Sequence, residues 1–156
     1  MKEKQGEHPF GDAGQLIALA LFLIVWVIDS FFLKTSTFLS SLVPLYIRLI
    51  ILAAAFVAGI YLAKSGHSVV EGEQRPENVV SAGAFRYVRH PLYLASVLFY
   101  FGLAVSTASL IALALAVAIF IFYDYIAGYE EKLMEMKFGE EYVSYKQKTG
   151  KWLPRV

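Results

Sequence analysis

Apolar and polar residues fall in long blocks along this chain, and the blocks predict helices of membrane length. The first apolar block covers residues 16–33. About 18 residues give roughly 27 Å of helix, enough to cross a bilayer core. A helix is expected over about 15–33, with Asp29 its one charge. The block is too long for the apolar part of a signal peptide and lacks a small-x-small cleavage motif, so it reads as a retained helix. The polar run "KTSTFLSS" reads as a loop. A second helix is expected over about 44–63, with Pro44 suited to its first turn and Arg48 one turn in. Residues 64–91 are polar and broken up by Gly66, Gly72, Pro76 and Gly83, and so read as a structured loop.

The next apolar block, residues 92–125, is too long for one crossing. The stretch "VSTAS" offers a turn. The block therefore predicts a hairpin of two short helices, about 92–105 and 109–126. A C-terminal interfacial helix is expected over about 129–149. Its apolar side would carry Leu133, Met136, Phe138, Tyr142 and Tyr145, with an interruption near Gly139. Gly150 and Pro154 mark its stop, and Trp152 suits a membrane interface. The expected fold is all-α: one integral-membrane domain over residues 1–156, with four crossings.

Composition sharpens this. The chain is 58% hydrophobic and 17% charged, against roughly half and a quarter in soluble domains. A net charge of +1 offers no footprint for nucleic acid. There is no cysteine, and the three histidines are scattered, so no metal site is expected. Four crossings put both termini on one side. With the termini inside, Lys2, Lys4, Lys64, Arg75, Arg86, Arg89, Arg155 and the five lysines from Lys132 onward lie on the inner side. Only Lys34 and Arg48 lie outside. The positive-inside rule then makes the termini, the polar loop and the tail cytoplasmic.

Charges at membrane depth are costly unless paired or hydrated. Asp29 and Arg48 lie near the outer ends of their helices and are expected to face each other as a helix clamp. Asp124 lies at the inner end of the fourth helix, where solvation and a substrate contact are equally open readings. The hairpin brings its own two ends together. "RYVRHPLY" and "YEEKL" should therefore meet on the cytoplasmic side, although they are about 40 residues apart. Arg, His, Tyr and Glu side chains, roofed by loop and tail, would form a pocket open to the cytosol with lipid at its flank. Each feature also has an ordinary reading: Arg and Tyr as interfacial anchors, Pro91 as a helix-start residue, His90 as a cap.

The residues "GAFRYVRHPLYLAS", followed after a hairpin by "EEKLMEMKFGEEYVSYK", resemble a family signature. It is the glycine-aromatic, Arg-His-Pro-x-Tyr, Glu-Glu and Phe-Gly-x-x-Tyr-x-x-Tyr series of the isoprenylcysteine carboxyl methyltransferases and the related phospholipid N-methyltransferases. The resemblance spans about residues 77–154. It implies an integral-membrane methyltransferase that uses S-adenosylmethionine, releases S-adenosylhomocysteine, and acts on a lipid, prenylated or other hydrophobic acceptor. Carried over by position, it implies cofactor contacts at Glu77, Asn78, Val79, Val80, Phe85, His90, Pro91, Leu92, Tyr93, Glu130 and Glu131. Arg89 is open between anchor and cofactor contact. His90, Tyr93 and Glu130 are the positioning candidates for catalysis.

The chemistry suits the donor. Aromatic rings and backbone amides fit an adenine, and a carboxylate fits an ammonium. Transfer is an in-line displacement that needs positioning rather than a covalent intermediate. Two positions depart from the isoprenylcysteine enzymes. Glu77 stands where they have a histidine. Ile126 stands four residues before the first glutamate, where they carry an arginine suited to a carboxylate substrate. With Asp124 nearby, these departures turn the expected substrate contacts, Asp124 and Ile126, toward an amine head group. Two other readings stay open: a nicotinamide-dependent membrane reductase of the steroid-reductase type, and a small non-catalytic bundle.

Overall fold

The computed structural model describes residues 11–72 and 78–155. Glu77, Lys2, Lys4 and Arg75 lie outside the described residues. Among the described residues the chain is all-α, with no strand and a single parallel bridge between Val88 and Gly150.

Helix α1 (Gly11–Val27) continues as a π-helical turn (Ile28–Leu33) that ends at Lys34, whose backbone is left-handed (φ 54°). A short 3₁₀ turn (Phe38–Ser41) leads into α2 (Leu45–Gly72). Helix α2 runs on past residue 63, so the expected loop over 64–91 begins later. Gly66, a poor helix former, is retained because α3 packs there. A Cβ on it would lie 3.1 Å from Leu92 and 3.4 Å from Pro91. Tertiary packing overrides the local propensity.

Helix α3 (Pro91–Thr107) starts on its proline and ends at Ala108, also left-handed (φ 55°). Ser109 caps the next helix by accepting a hydrogen bond from the Ala112 N–H at 3.0 Å. The chain thus turns back within the expected "VSTAS". Helix α4 (Leu110–Phe138) is longer than the expected 109–126. It passes Gly128 without a break, so the segment expected over 129–149 starts as a continuation of α4, and its expected interruption falls at Gly139 (φ 55°). Its first half completes α4, and the remainder forms α5 (Glu140–Lys148). Twenty-nine residues of α4 span about 43 Å, more than the roughly 30 Å of a bilayer core. The last turns carry Glu130, Glu131, Lys132, Glu135 and Lys137.

Three helical stretches are long and apolar enough to cross a membrane: Ala13–Leu33, Leu45–Val69 and Leu110–Phe138. Helix α3 is apolar and shorter. The outer face of α2 leaves Leu45, Ile50, Val57 and Ile60 exposed, the exterior expected of a helix solvated by lipid. Inside, α3 lies against α2, α4 and α1. Phe22, Val97, Tyr100, Ala112, Ile119 and Tyr123 belong to the core. Helices α2 and α3 approach closely because Gly102 has no side chain. A Cβ there would lie 3.2 Å from both Ala55 and Leu52. Small residues at such contacts let helix backbones approach in membranes.

The end of the bundle at the α3–α4 turn corrects one expectation. Asp29 and Arg48 form no ion pair; each is satisfied separately. The Asp29 carboxylate accepts from Thr35 Oγ1 (2.6 Å), Ser109 Oγ (2.6 Å), the Ser36 hydroxyl and the Ser36 N–H (3.2 Å). Arg48 donates to the carbonyls of Ser106 (2.7 Å), Val43 (3.1 Å) and Ser40 (3.4 Å). Hydroxyls and unpaired carbonyls at helix ends do what a partner charge would otherwise do.

Candidate active site

At the opposite end, the loop over residues 78–90, the start of α3, the later turns of α4, and α5 with its tail converge. Successive residues on a helix point about 100° apart. Glu130 and Glu131 therefore face different partners.

Glu130 accepts a 2.6 Å hydrogen bond from the Tyr93 hydroxyl, and its other oxygen lies 3.9 Å from His90 Nδ1. Glu131 is buried. Arg89 Nε donates to it at 2.9 Å, His90 Nε2 lies 3.1 Å away, and Lys146 Nζ is 3.4 Å from its second oxygen. His90 occupies the N-cap position of α3 but makes no side-chain cap bond. Its ring instead stacks on Tyr93, with centroids 5.7 Å apart and planes 10° apart, and contacts Trp152 at 5.8 Å. "RYVRHPLY" and "YEEKL" thus meet at one spot, with the tail across them.

Arg89 is committed to structure. Besides Glu131, it donates to the carbonyls of Lys146 (3.2 Å) and Thr149, while its own N–H donates to the Gly150 carbonyl at 2.9 Å. The loop is tied to α5 by two further bonds. Glu141 accepts from the Val79 N–H at 2.8 Å, and Tyr145 donates to the Phe85 carbonyl at 2.6 Å.

These elements enclose a cleft of about 210 Å³. The loop and the start of α3 line it with Asn78, Val79, Val80, Phe85, Arg89 and His90. Helices α4 and α5 line it with Glu130, Met134, Phe138, Tyr142 and Tyr145. Of these, Phe138, Tyr142 and Tyr145 stood in the sequence as an apolar helix side and as the Phe-Gly-x-x-Tyr-x-x-Tyr part of the resemblance, with no site role given to them, and Met134 carried no signal of its own. Its spacing of four from both Glu130 and Phe138 puts all three on one face of α4. Burial pushes the Tyr145 phenol up to about 12, with Arg89 opposing and Glu131 adding to the rise. Burial also raises Tyr142, and the Glu131 charge adds to it. Lys146 is raised by its hydrogen bond to Glu135, against its partial burial.

The remaining candidates lie elsewhere. Pro91 is buried in the first turn of α3. Leu92 lines a second, larger groove of about 630 Å³ between α1, α2, α3 and α4. Ile126 is fully buried in the helix packing. Asp124 is engaged by the tail. Trp152 Nε1 donates to its carboxylate at 2.8 Å, and Lys151 Nζ binds the same oxygen as well as the Asp124 carbonyl at 2.9 Å. The cleft and the groove are neighbours: the Tyr93 ring lies 5.3 Å from that of Tyr123, which lines the groove.

Residues 45–141, more than half of the chain, match the family model described as phospholipid methyltransferase. The match runs from α2 to the first turn of α5 and includes every element of the cleft except the end of α5 and the tail. No curated protein matches the chain.

Proposed function

The chain belongs to the phospholipid methyltransferase family, and from that footing we propose that it methylates a lipid amine, with S-adenosylmethionine as donor and S-adenosylhomocysteine as product. The observation that carries the reading is the Tyr93–Glu130 hydrogen bond. It stands between a polar, aromatic cleft and an apolar groove at membrane depth.

The cleft's donor set fits the cofactor. The Glu130 carboxylate suits an ammonium, and Phe85, Phe138, Tyr142 and Tyr145 suit a purine; the Val79 N–H beside them is already taken by Glu141. When bound, the cofactor supplies an electrophilic methyl group on a cationic sulfur. The chain's own residues do the rest. His90 stacks on Tyr93 and fixes its ring. Loop, α5 and tail keep water from the reacting atoms, and the groove brings the acceptor to them. Holding the two reactants in line is the main source of rate in this account. As the amine attacks, a bond forms between nitrogen and methyl carbon and the carbon–sulfur bond breaks. In this reading the amine proton leaves toward Glu130, the carboxylate that Tyr93 bonds at the border of cleft and groove.

An amine suits the groove better than a carboxylate. An amine attacks in its neutral form, which an uncharged groove can hold; a carboxylate attacks as an anion and would need a cation, and no charged residue is among those lining the groove. Asp124, tied to Lys151 and Trp152, is not assigned a substrate role. We read α1 to α4 as four crossings of a single membrane domain, α3 being the short one, and with four crossings the charge asymmetry of the sequence favours both termini and the cleft on the cytoplasmic side. The family favours methyl transfer over a nicotinamide-dependent reaction or a non-catalytic bundle, and a nicotinamide absorbance assay separates these readings. Calorimetry in detergent tests the donor. Wild-type protein should bind S-adenosylmethionine and Glu130→Gln should bind it at least tenfold more weakly. No binding by wild type would sink the proposal.

A further inference from the structure

With Asp124 held by the tail, an acceptor head group needs another polar contact. The groove contains one. Its walls are apolar except at Gln15 and where α3 faces α4, and there Ser96, Tyr100 and Tyr123 line it. Tyr100 and Tyr123 are 2% and 1% exposed. Their hydroxyls lie 3.4 Å apart, a long contact for two phenols, and Ser96 lies beside Tyr123. Phenylalanines would fill the same space without the cost of burying hydroxyls. Each phenol has one proton to donate and lone pairs to accept; Tyr123 is hydrogen-bonded to Ser96 as well as to Tyr100, so what this linked set keeps to offer is lone-pair capacity to accept. The cluster is also one ring away from the reacting centre. Tyr123 packs on Tyr93, and Tyr93 donates to Glu130.

We propose that Ser96, Tyr100 and Tyr123 form a hydroxyl seat in the groove, which receives the polar end of the lipid acceptor and aims its amine past Tyr93 toward the cleft. The inference rests on the methyl-transfer reading and adds to it the residues that select the acceptor. Hydroxyl oxygens accept from the N–H of a neutral amine, the form that attacks. The seat carries no fixed charge to balance a carboxylate. Its residues position the acceptor and do not touch the donor.

The test uses the full chain in vesicles of phosphatidylcholine containing a graded fraction of phosphatidylethanolamine, whose head group is a primary amine. Tyr100→Phe, Tyr123→Phe and the double variant keep every ring in place. Loss of a hydrogen bond predicts an acceptor KM raised roughly three- to tenfold for each single variant, with S-adenosylmethionine affinity by calorimetry unchanged. An unchanged KM in the double variant overturns the seat and leaves the methyl-transfer reading intact. A parallel fall in donor affinity also overturns the seat, because it marks a general packing defect. Donor binding by wild type with no methylation of the amine lipid overturns the seat together with the amine assignment.

Discussion

Two adjacent carboxylates on α4 are sent to different partners by one residue of helical rotation. Glu130 turns to Tyr93 and the cleft, whereas Glu131 turns into a buried knot with Arg89, His90 and Lys146. Removing one partner of a buried pair leaves a charge stranded, at a cost of about 3–5 kcal/mol. Glu131→Ala should therefore lower the thermal unfolding temperature sharply. Glu130→Gln should leave it nearly unchanged while weakening donor binding. Equal unfolding temperatures for the two variants would contradict this division.

A pH effect belongs to the same scale. Tyr145 has a folded pKa of about 12, above its unfolded value of about 10. Its contribution to stability is fully present below pH 10 and is lost as pH rises through 12. Ultraviolet titration should find this phenol un-ionised at pH 11 in folded protein, and ionised there once the protein unfolds. At this scale the sequence was legible where topology forces a meeting, as for His90, Tyr93 and Glu130. It was not legible for Asp29 and Arg48. Opposite charges suggested a pair, but hydroxyls of Thr35, Ser36 and Ser109 and carbonyls of Val43 and Ser106 were nearer.

At the scale of elements, the α3–α4 connection consists of Ala108 and Ser109 alone. Ala108 is held in the left-handed region that disfavours a Cβ by roughly 1–2 kcal/mol. Ala108→Gly removes that strain, though glycine also loosens the unfolded chain. A net gain of about 0.5–1 kcal/mol is expected, read as a higher unfolding temperature in detergent. A loss would show that the methyl group packs favourably there. The turn itself was legible in "VSTAS". The reach of α2 and α4 was not. Gly66 looks like a breaker in the sequence, yet Leu92 and Pro91 pack on it, and α4 likewise passes Gly128, where the tail's Lys151 lies alongside. Partners distant in the chain decide whether such a glycine ends a helix.

For the whole molecule, polarity is sorted by depth. One end ties α1 to the α3–α4 turn through Asp29. The other joins loop, α4 and tail through Arg89, Glu131 and Asp124. Between them lies the groove, which meets the cleft at Tyr93. Block patterning revealed the all-α architecture and its two polar ends. It did not reveal the groove, because a groove is a gap left by side chains of four helices and has no signature in any one of them.

The central claim is that the cleft and the groove together transfer a methyl group to a lipid amine. The most direct measurement is incubation of the full chain in lipid nanodiscs with methyl-labelled S-adenosylmethionine and a total membrane lipid extract, followed by mass analysis of the lipids. Amine-bearing lipids should gain labelled methyl groups, and none should do so with Glu130→Gln. Donor binding with no labelled lipid, or label only on carboxyl groups, would contradict it.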